Sequence, residues 1–529
     1  MASIVKVKVG NHIYLYESTS YRNKEGKPRN RRICVGKVDK STGLHTYKKE
    51  YIERKKQEGI EIKSAEVEPI FSVEDIKRSS VLQTGLTHLL DKTSKNIGLF
   101  SILKESFPDL HKQIFSVASY LVASGDPVSY CMDWMEKSDF KSDELLSSQK
   151  ISNLFNLISD KKIEDFYNSW SNYISEKEYL ALDITSISSW SKLIDNVEWG
   201  YNRDNDKLAQ INLSLLLGLE SRLPVRMTLY NGSINDVSTL ETTIKQLAPE
   251  LLSQIKVVMD KGFSSKKNID LLLKNGLKFV IALSFRLEFT KKSVEIAKKN
   301  INKIENTITI GKTTIQGTTI TRSWITGKKV FVHLYYNELK ATIEKGILYG
   351  KINELIKKAK LDPNTKNKKL KKEFEHYLII RKSTKKDNGY VIKIKKDVVE
   401  KELNNIGWLV IISNDISDTK EAIKIYRDKD VVEKGFMRTK NSLGFKRMRV
   451  HSEKVMEGKM FVGFIALILN SHIHNIMLKN NLYKKMTMKD LIKNMEKIKT
   501  QIIKDRRILF PLTKKQKDIF KFFKIEKPM

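Results

Sequence analysis

At Tyr179 the spacing of apolar residues in this chain changes abruptly, and that change constrains the fold more than any other feature. From about Val73 to Tyr173 the apolar positions recur at intervals of three and four, as in GLFSILKESF and KISNLFNLISDKKIEDFYNSW, which predicts an all-helical region. YLALDITSIS then reads as a buried strand. It is followed by two more strand-like runs (QINLSLLLGL, PVRMTLYNG), a helix over Asp236 to Leu252, a strand (IKVVMD), a helix (SKKNIDLLLKNG) and a strand (KFVIALS). Strands and helices in this order specify an α/β sheet domain.

A Lys-rich stretch, 286–405, then interrupts the pattern. It holds the strand-like runs NTITIG, TTITRSW and KKVFVHLYY, the helical ELKATIEKGILYGKINELIKKA, and the disordered-looking link DPNTKNKKLKK. The α/β pattern resumes with the strand GWLVIISND and a long helix from about Asp418 to Lys440, and three further helical patterns follow around 453–477, 487–503 and 514–525. At the other end, VKVKVGNHIYLY alternates apolar and polar residues, and RRICVGKV follows a turn-rich segment. This predicts a small basic β-hairpin unit, whose Arg22, Lys24, Lys27, Arg29, Arg31 and Arg32 either grip phosphates or form a solvated surface. A chain of 529 residues is too long for one core. The expected division is a hairpin unit (1–60), a helical region (61–177), the first part of a core (178–285), an insertion (286–405), the second part of the core (406–452) and a C-terminal helical region (453–529). The first two are the candidates for DNA contact.

The charge directs attention to a polyanionic partner. Lys and Arg number 97 against 62 Asp and Glu, a net +35, and such an excess binds nucleic acid through counterion release. An AT-biased genome also yields Lys-rich chains that bind nothing, so a motif has to decide. The longest apolar run, Met460 to Asn470, is about half of what a membrane span needs and reads as a buried helix. With no apolar segment behind a basic N-terminus, the expected location is cytoplasmic, with no membrane partner. Cys34 and Cys131 stand far apart without a partner motif, so two buried thiols are expected rather than a disulfide or zinc site.

Three acids carry the chemistry. Asp183 lies inside an apolar strand, Asp260 ends another strand just before Lys261-Gly262-Phe263, and Glu433 lies on the helix after the resumed sheet. Buried carboxylates are costly unless paired or bound to a cation. Three of them can hold two magnesium ions roughly 4 Å apart, one activating an attacking oxygen and one stabilising the leaving oxygen. Singly, a strand-end Asp is more often a turn cap than a ligand, and a helical Glu is more often a surface residue. The Glu433 helix sharpens the case, because Tyr426, Lys429, Glu433 and Lys440 fall within a roughly 60° arc of an ideal helix. Ile425, Val432 and Phe436 beside that arc form a stripe that would dock the helix on the sheet.

With these residues the chain resembles the DDE transposases of bacterial insertion sequences, whose RNase H-like core carries a β-rich insertion between the second and third catalytic acids. The family's first Asp matches Asp183 in LALDITSIS, and Gly232 and Asp236 match in NGSINDVSTL. The second Asp matches Asp260 in VVMDKGF, and the signature of Tyr, Arg, Glu and Lys aligns with Tyr426, Lys429, Glu433 and Lys440. Lys429 stands where the family has Arg, which keeps the charge and loses the bidentate fork; Arg427 lies well off the arc.

The resemblance implies catalysis by Asp183, Asp260 and Glu433 with two Mg2+ ions, for which Mn2+ is the expected substitute, and no nucleotide cofactor. It implies DNA contacts from Tyr426, Lys429 and Lys440, to which the following stretch adds Lys446, Arg447, Arg449 and His451 as candidates for the DNA backbone. It further implies cleavage of duplex DNA at terminal inverted repeats, with or without a hairpin intermediate, joining of the freed 3′ hydroxyl to target DNA, a homodimer that pairs the ends, and a nucleoid-associated bacterial setting. Trp190 and Trp199 are expected in the core in preference to stacking on an extruded base. Other classes consistent with the residues are a DNA-binding descendant without catalysis, an RNase H-like nuclease that never joins strands, and a basic scaffold for RNA.

Overall fold

The computed structural model describes residues 2–10, 12–39, 44–60, 62, 72–174, 178–204, 206–234, 236–245, 256–311, 313–383, 389–504 and 506–528. The chain divides into two units, 1–80 with 502–506, and 81–501 with 507–529.

In the first unit the expected single hairpin is a four-stranded antiparallel sheet in sequential order: β1 (Ala2–Val9), β2 (His12–Arg22), β3 (Pro28–Val38) and β4 (His45–Tyr47). The run read as one strand is two, because Gly10, at φ +60°, turns the chain back in the left-handed region open to glycine. Helix α1 (Lys49–Gln57) lays Tyr51 against Leu15 and Val35, and its Arg54 and Lys55 pair with Glu17. Arg22, Lys24, Lys27, Arg29, Arg31 and Arg32 are all exposed.

The second unit opens with the expected helices, among them α2 (His111–Ala123), α3 (Ser148–Leu157) and α4 (Asp160–Ile174). The sheet follows. Its strands β5 (Tyr179–Ser189), β6 (Gln210–Gly218) and β7 (Pro224–Asn231) run antiparallel, each to the next. After helix α5 (Asp236–Lys245), β8 (Lys256–Met259) pairs parallel with β5, and after α6 (Lys266–Lys274), β9 (Lys278–Ala282) pairs parallel with β8. This 3-2-1-4-5 order with only the first three strands antiparallel is the RNase H-like arrangement. Residues 246–252 of the helix expected to end at Leu252 lie outside the described residues.

The segment 286–405 joins this sheet. Its strands β10 (Thr307–Ile310), β11 (Thr313–Ser323) and β12 (Lys329–Tyr336) pair in succession, and β12 pairs with the resumed strand β13 (Trp408–Ser413), which itself pairs with β9. Between β12 and β13, helix α7 (Glu338–Leu361), helix α8 (Lys368–Tyr377), a short hairpin and helix α9 (Lys396–Leu403) enclose their own apolar cluster around Ile352, Leu355 and Phe374. The link read as disordered becomes α8 in its second half. The Asn367 side chain accepts from the Lys369 and Leu370 amides, and Phe374 and Tyr377 supply the apolar face that the lysines obscure in the sequence.

The helix expected over Asp418 to Lys440 is three pieces: α10 (Thr419–Asp428), α11 (Asp430–Met437) and a π-helical turn, Arg438–Ser442, with Lys429 at the junction of the first two. Val432 and Phe436 dock on the sheet as expected, and Gly435 permits the close approach: a Cβ there would lie 2.9 Å from Leu215 and 3.0 Å from Leu217.

Helix α12 (Glu453–Lys479) outruns the apolar stretch seen in the sequence. It is long and apolar enough to cross a membrane, with mean hydropathy 1.6, but 78% of that window is buried inside the protein, where it packs against α2 and α3. Beyond it, the helix expected over 487–503 is α13 (Met488–Glu496) followed by a strand, Lys499–Ile503, and α14 (Lys514–Phe523) closes the chain. Cys131 is buried as expected, whereas Cys34 is only half-buried.

Candidate active site

Strand β5 is eleven residues long and its parallel neighbour β8 only four, so their ladder ends at the pair Leu182 and Met259. Asp183 and Asp260 are the next residues on each strand. Asp260 then turns the chain, its carboxylate accepting the Lys261 amide at 2.7 Å, and Asp183 accepts the Ile184 amide at 2.8 Å. Along β5, Ala181 and Ile187 belong to the apolar cluster under α11 and α12, while Leu180, Leu182 and Ile184 belong to the opposite one. Strand alternation therefore turns Asp183 toward α11, and Asp183 and Glu433 line one cavity of about 470 Å³.

Helix α10 brings the Tyr426 hydroxyl to Asp260, to which it donates at 2.7 Å. Lys429, 9% exposed, is the hub. Its ammonium lies 3.3 Å from Glu433 and 4.0 Å from Asp260, with the Tyr426 ring centroid at 5.4 Å. The break between α10 and α11 sets it there. Lys429 thus faces the acids rather than an open surface, and Arg427 is exposed, as its helical angle suggested.

Burial sets the protonation of these groups. It pushes Asp183 up to about 6, against the Ile184 amide and the charges of Arg203 and Lys429, with Asp260 adding to the rise. At Asp260 burial acts the same way but is outweighed by the Tyr426 hydroxyl, the Lys261 amide and Lys429, which leaves the carboxyl below its usual range. Tyr426 is pushed far up by burial and by Asp260, so it remains a donor.

Lys440, in the π-helical turn, lines the same cavity, where it pairs with Asp204 at 2.8 Å. Arg447 pairs with Asp206 at 2.7 Å from a short strand, β14 (Arg447–Met448), that adds parallel to the end of β5. Lys446 lines the cavity, while Arg449 and His451 are exposed in a cleft beyond it. Arg203, Asp204 and Asp206 were missed in the sequence. The acid-rich NRDNDK between β5 and β6 was the available signal, but the partners of its acids lie more than two hundred residues away.

Trp190 and Trp199 are not in the core: they are 62% and 72% exposed. The ladder of β5 ends at Ser189, so Trp190 opens a loop, where the Arg447 guanidinium stands 5.7 Å from its ring. Gly232 is pinned by the strands, since a Cβ there would lie 2.0 Å from the Gln210 carbonyl oxygen; the Asp236 side chain lies outside the described residues.

Among the described residues no three His, Cys, Asp or Glu side chains gather closely enough to hold a metal ion. The donor set nevertheless fits a hard divalent cation. The donors are carboxylate oxygens from three elements, one of them buried at the cost of a raised pKa, and a lysine ammonium already lies between the other two.

The transposase DDE domain family matches residues 175–469, more than half of the chain. This chain belongs to the DDE transposase family. Such domains generally use divalent metal ions. No curated protein matches the chain. Among solved structures, a piggyBac transposase in a synaptic complex with hairpin DNA is similar at a TM-score of 0.35 and 10% identity, over 77% of this chain and 70% of that one.

The Tyr426 hydroxyl fixes the Asp260 carboxylate; on the metal-binding role proposed for Asp260 below, Tyr426→Phe is expected to raise the magnesium concentration for half-maximal DNA nicking about tenfold, as loss of a group that orients a metal ligand does. A metal titration of nicking checks this, and an unchanged midpoint would mean that the phenol only packs.

Proposed function

We propose that this DDE transposase cleaves duplex DNA at the terminal repeats of a mobile element and joins the freed ends to target DNA, with Asp183, Asp260 and Glu433 as the catalytic acids. The observation that carries this reading is the convergence of β5, the end of β8 and α11 on one place, where Tyr426 and Lys429 tie the second and third acids together.

The three carboxylates would hold a pair of divalent ions, magnesium by preference, which supply the positive charge that phosphoryl transfer needs at the attacking and leaving oxygens. The chain's own groups do the rest. Tyr426 holds one rotamer of Asp260, and Lys429 balances the acids until the charge arrives. Lys440, Lys446 and Arg447 hold phosphates at the rim. In the first step water attacks phosphorus, the bond to the 3′ oxygen breaks, and a 3′ hydroxyl and a 5′ phosphate result. In the second, that hydroxyl attacks a target phosphodiester and displaces its 3′ oxygen. Positioning and electrostatics supply most of the acceleration. A dimer that holds paired ends and a nucleoid-associated, cytoplasmic location belong to the same proposal.

The test incubates the full chain with magnesium and a duplex carrying the element's own end, together with a target plasmid. Nicked ends and inserted products are expected. Cut ends with no joined product would replace this reading with that of an RNase H-like nuclease; binding without cutting would replace it with that of a catalytically silent DNA-binding descendant.

A further inference from the structure

Beyond the catalytic cavity lie two adjoining clefts of about 310 and 590 Å³, which share Val128, Ser148, Arg449 and Lys459 in their walls. Their frame is rigid. A Cβ on Gly125 would lie 2.2 Å from the Ser442 carbonyl oxygen, and one on Gly444 2.1 Å from that of Gly125, and both glycines have positive φ. Two loops are thereby locked backbone to backbone. Arg447 connects this region to the active site, since it pairs with Asp206 of the catalytic cavity and lines the larger cleft.

Lys440 of the catalytic cavity and Arg447 of the larger cleft have carboxylate partners, whereas among the described residues the side chains of Arg449, His451 and Lys459 have neither an ion pair nor a hydrogen bond. Asp126 is the acid among the lining residues, and it borders the larger cleft alone. The Lys459 ammonium stands 5.9 Å from the Phe445 ring centroid, and burial, with Arg449 as a like charge, pushes it down to about 8. Lys459 is half-buried on the shared wall with no acid paired to it among the described residues, so its charge is left for a ligand to balance. Helix α3 begins at Ser148 in the shared wall, with Ser147 as its cap, and its positive end adds to the field.

We propose that this double cleft is a second phosphate-binding subsite, in which Arg449, His451, Lys459 and the N-terminal end of α3 hold the backbone of the DNA duplex that runs out of the catalytic cavity. The proposal rests on the DNA reading above and adds Lys459 and the α3 wall to it. The occupant is a polyanion because the walls present unpaired cations, and it is DNA because Arg447 makes the cleft continuous with the catalytic cavity.

The test measures binding of the full chain to a duplex of about 30 base pairs over a salt series. Lys459→Met is expected to weaken binding roughly tenfold near 0.1 M salt and to lower the slope of log affinity against log salt by about one, while Lys459→Arg stays near wild type. A lysine kept for the fold would lower the melting temperature when lost. Here Lys459→Met, which removes a desolvated charge, is expected to melt no lower than wild type. Wild-type affinity and slope in Lys459→Met would overturn the proposal. Should that variant fail to fold, Arg449→Gln decides, because its side chain is exposed: an unchanged slope overturns the proposal and a reduced one supports it. An acidic peptide that competes at the cleft while DNA binding ignores both substitutions would overturn it in favour of a protein partner. Nicking assayed in parallel separates the two readings. Loss of slope without any nicking removes the catalytic proposal and leaves the subsite, and nicking with an unchanged slope removes the subsite alone.

Discussion

Asp183→Asn is expected to abolish magnesium-dependent cleavage, a loss on the order of a thousandfold or more, and at the same time to make the metal-free protein more stable at neutral pH. The two effects share one cause. Burial holds the Asp183 carboxyl at about 6 against an ordinary value of 3.8, so the folded protein binds this proton more tightly than the unfolded chain does. As pH rises from about 4 through 6 the site therefore loses stability, and above 6 it carries the full penalty of a buried charge, on the order of 3 kcal/mol. Asparagine keeps the size of the side chain and removes the charge, and with it both the penalty and the cation affinity. The same proton competes with metal, so the magnesium needed for half-maximal cleavage by the wild type is expected to rise about tenfold per unit as pH falls below 6. Thermal melting in EDTA at pH 7.5 and nicking assays on the two proteins check this. A variant that still cuts, or one that melts lower than wild type without metal, would show that Asp183 is a structural carboxylate.

How much of this was legible in the sequence depended on range. Asp183 and Asp260 stood out because their signal is local: an acid in an apolar strand, and an acid at a strand end before glycine. The β-α order around them gave the α/β sheet domain, because buried strands read as continuous apolar runs, while its RNase H-like form came from the family resemblance. The break at Lys429 was hidden. The stretch IYRDKDVVEKGF has neither proline nor glycine at that point, and the helix interrupts there where the Lys429 ammonium meets Asp260 on a distant strand. For the same reason the π-helical turn at the far end of the arc was hidden; it carries Lys440, which lines the catalytic cavity paired with Asp204. Composition misled at α8, where lysines masked two aromatic anchors, and helical spacing misled at Lys499–Ile503, which forms a strand.

The pairs at Asp204 and Asp206, which no local pattern announced, lead to the second large effect. Replacing both with asparagine is expected to tighten binding of duplex DNA, on the order of tenfold or more at low salt, with the gain shrinking as salt is raised. Asp204 and Asp206 occupy the cations that the DNA reading assigns to phosphates, at 2.8 Å from Lys440 and 2.7 Å from Arg447. The loop that carries them is firmly held. Asp206 also accepts from the Ser188 hydroxyl at 3.0 Å, the Asn202 side chain donates to the same hydroxyl, and the Arg203 amide donates to Ser186. Entering phosphates must displace these carboxylates and then remain beside them as like charges. Asparagine retains the polar contact with Ser188 and removes the repulsion. The opposite role would be orientation, in which the aspartates hold Lys440 and Arg447 in place for DNA; the double variant would then bind more weakly at every salt concentration. Fluorescence anisotropy with one duplex at several ionic strengths separates the two by the sign of the change. Tighter binding that fades with salt means that the acidic segment competes with DNA for the rim of the active site, and weaker binding means that it prepares that rim.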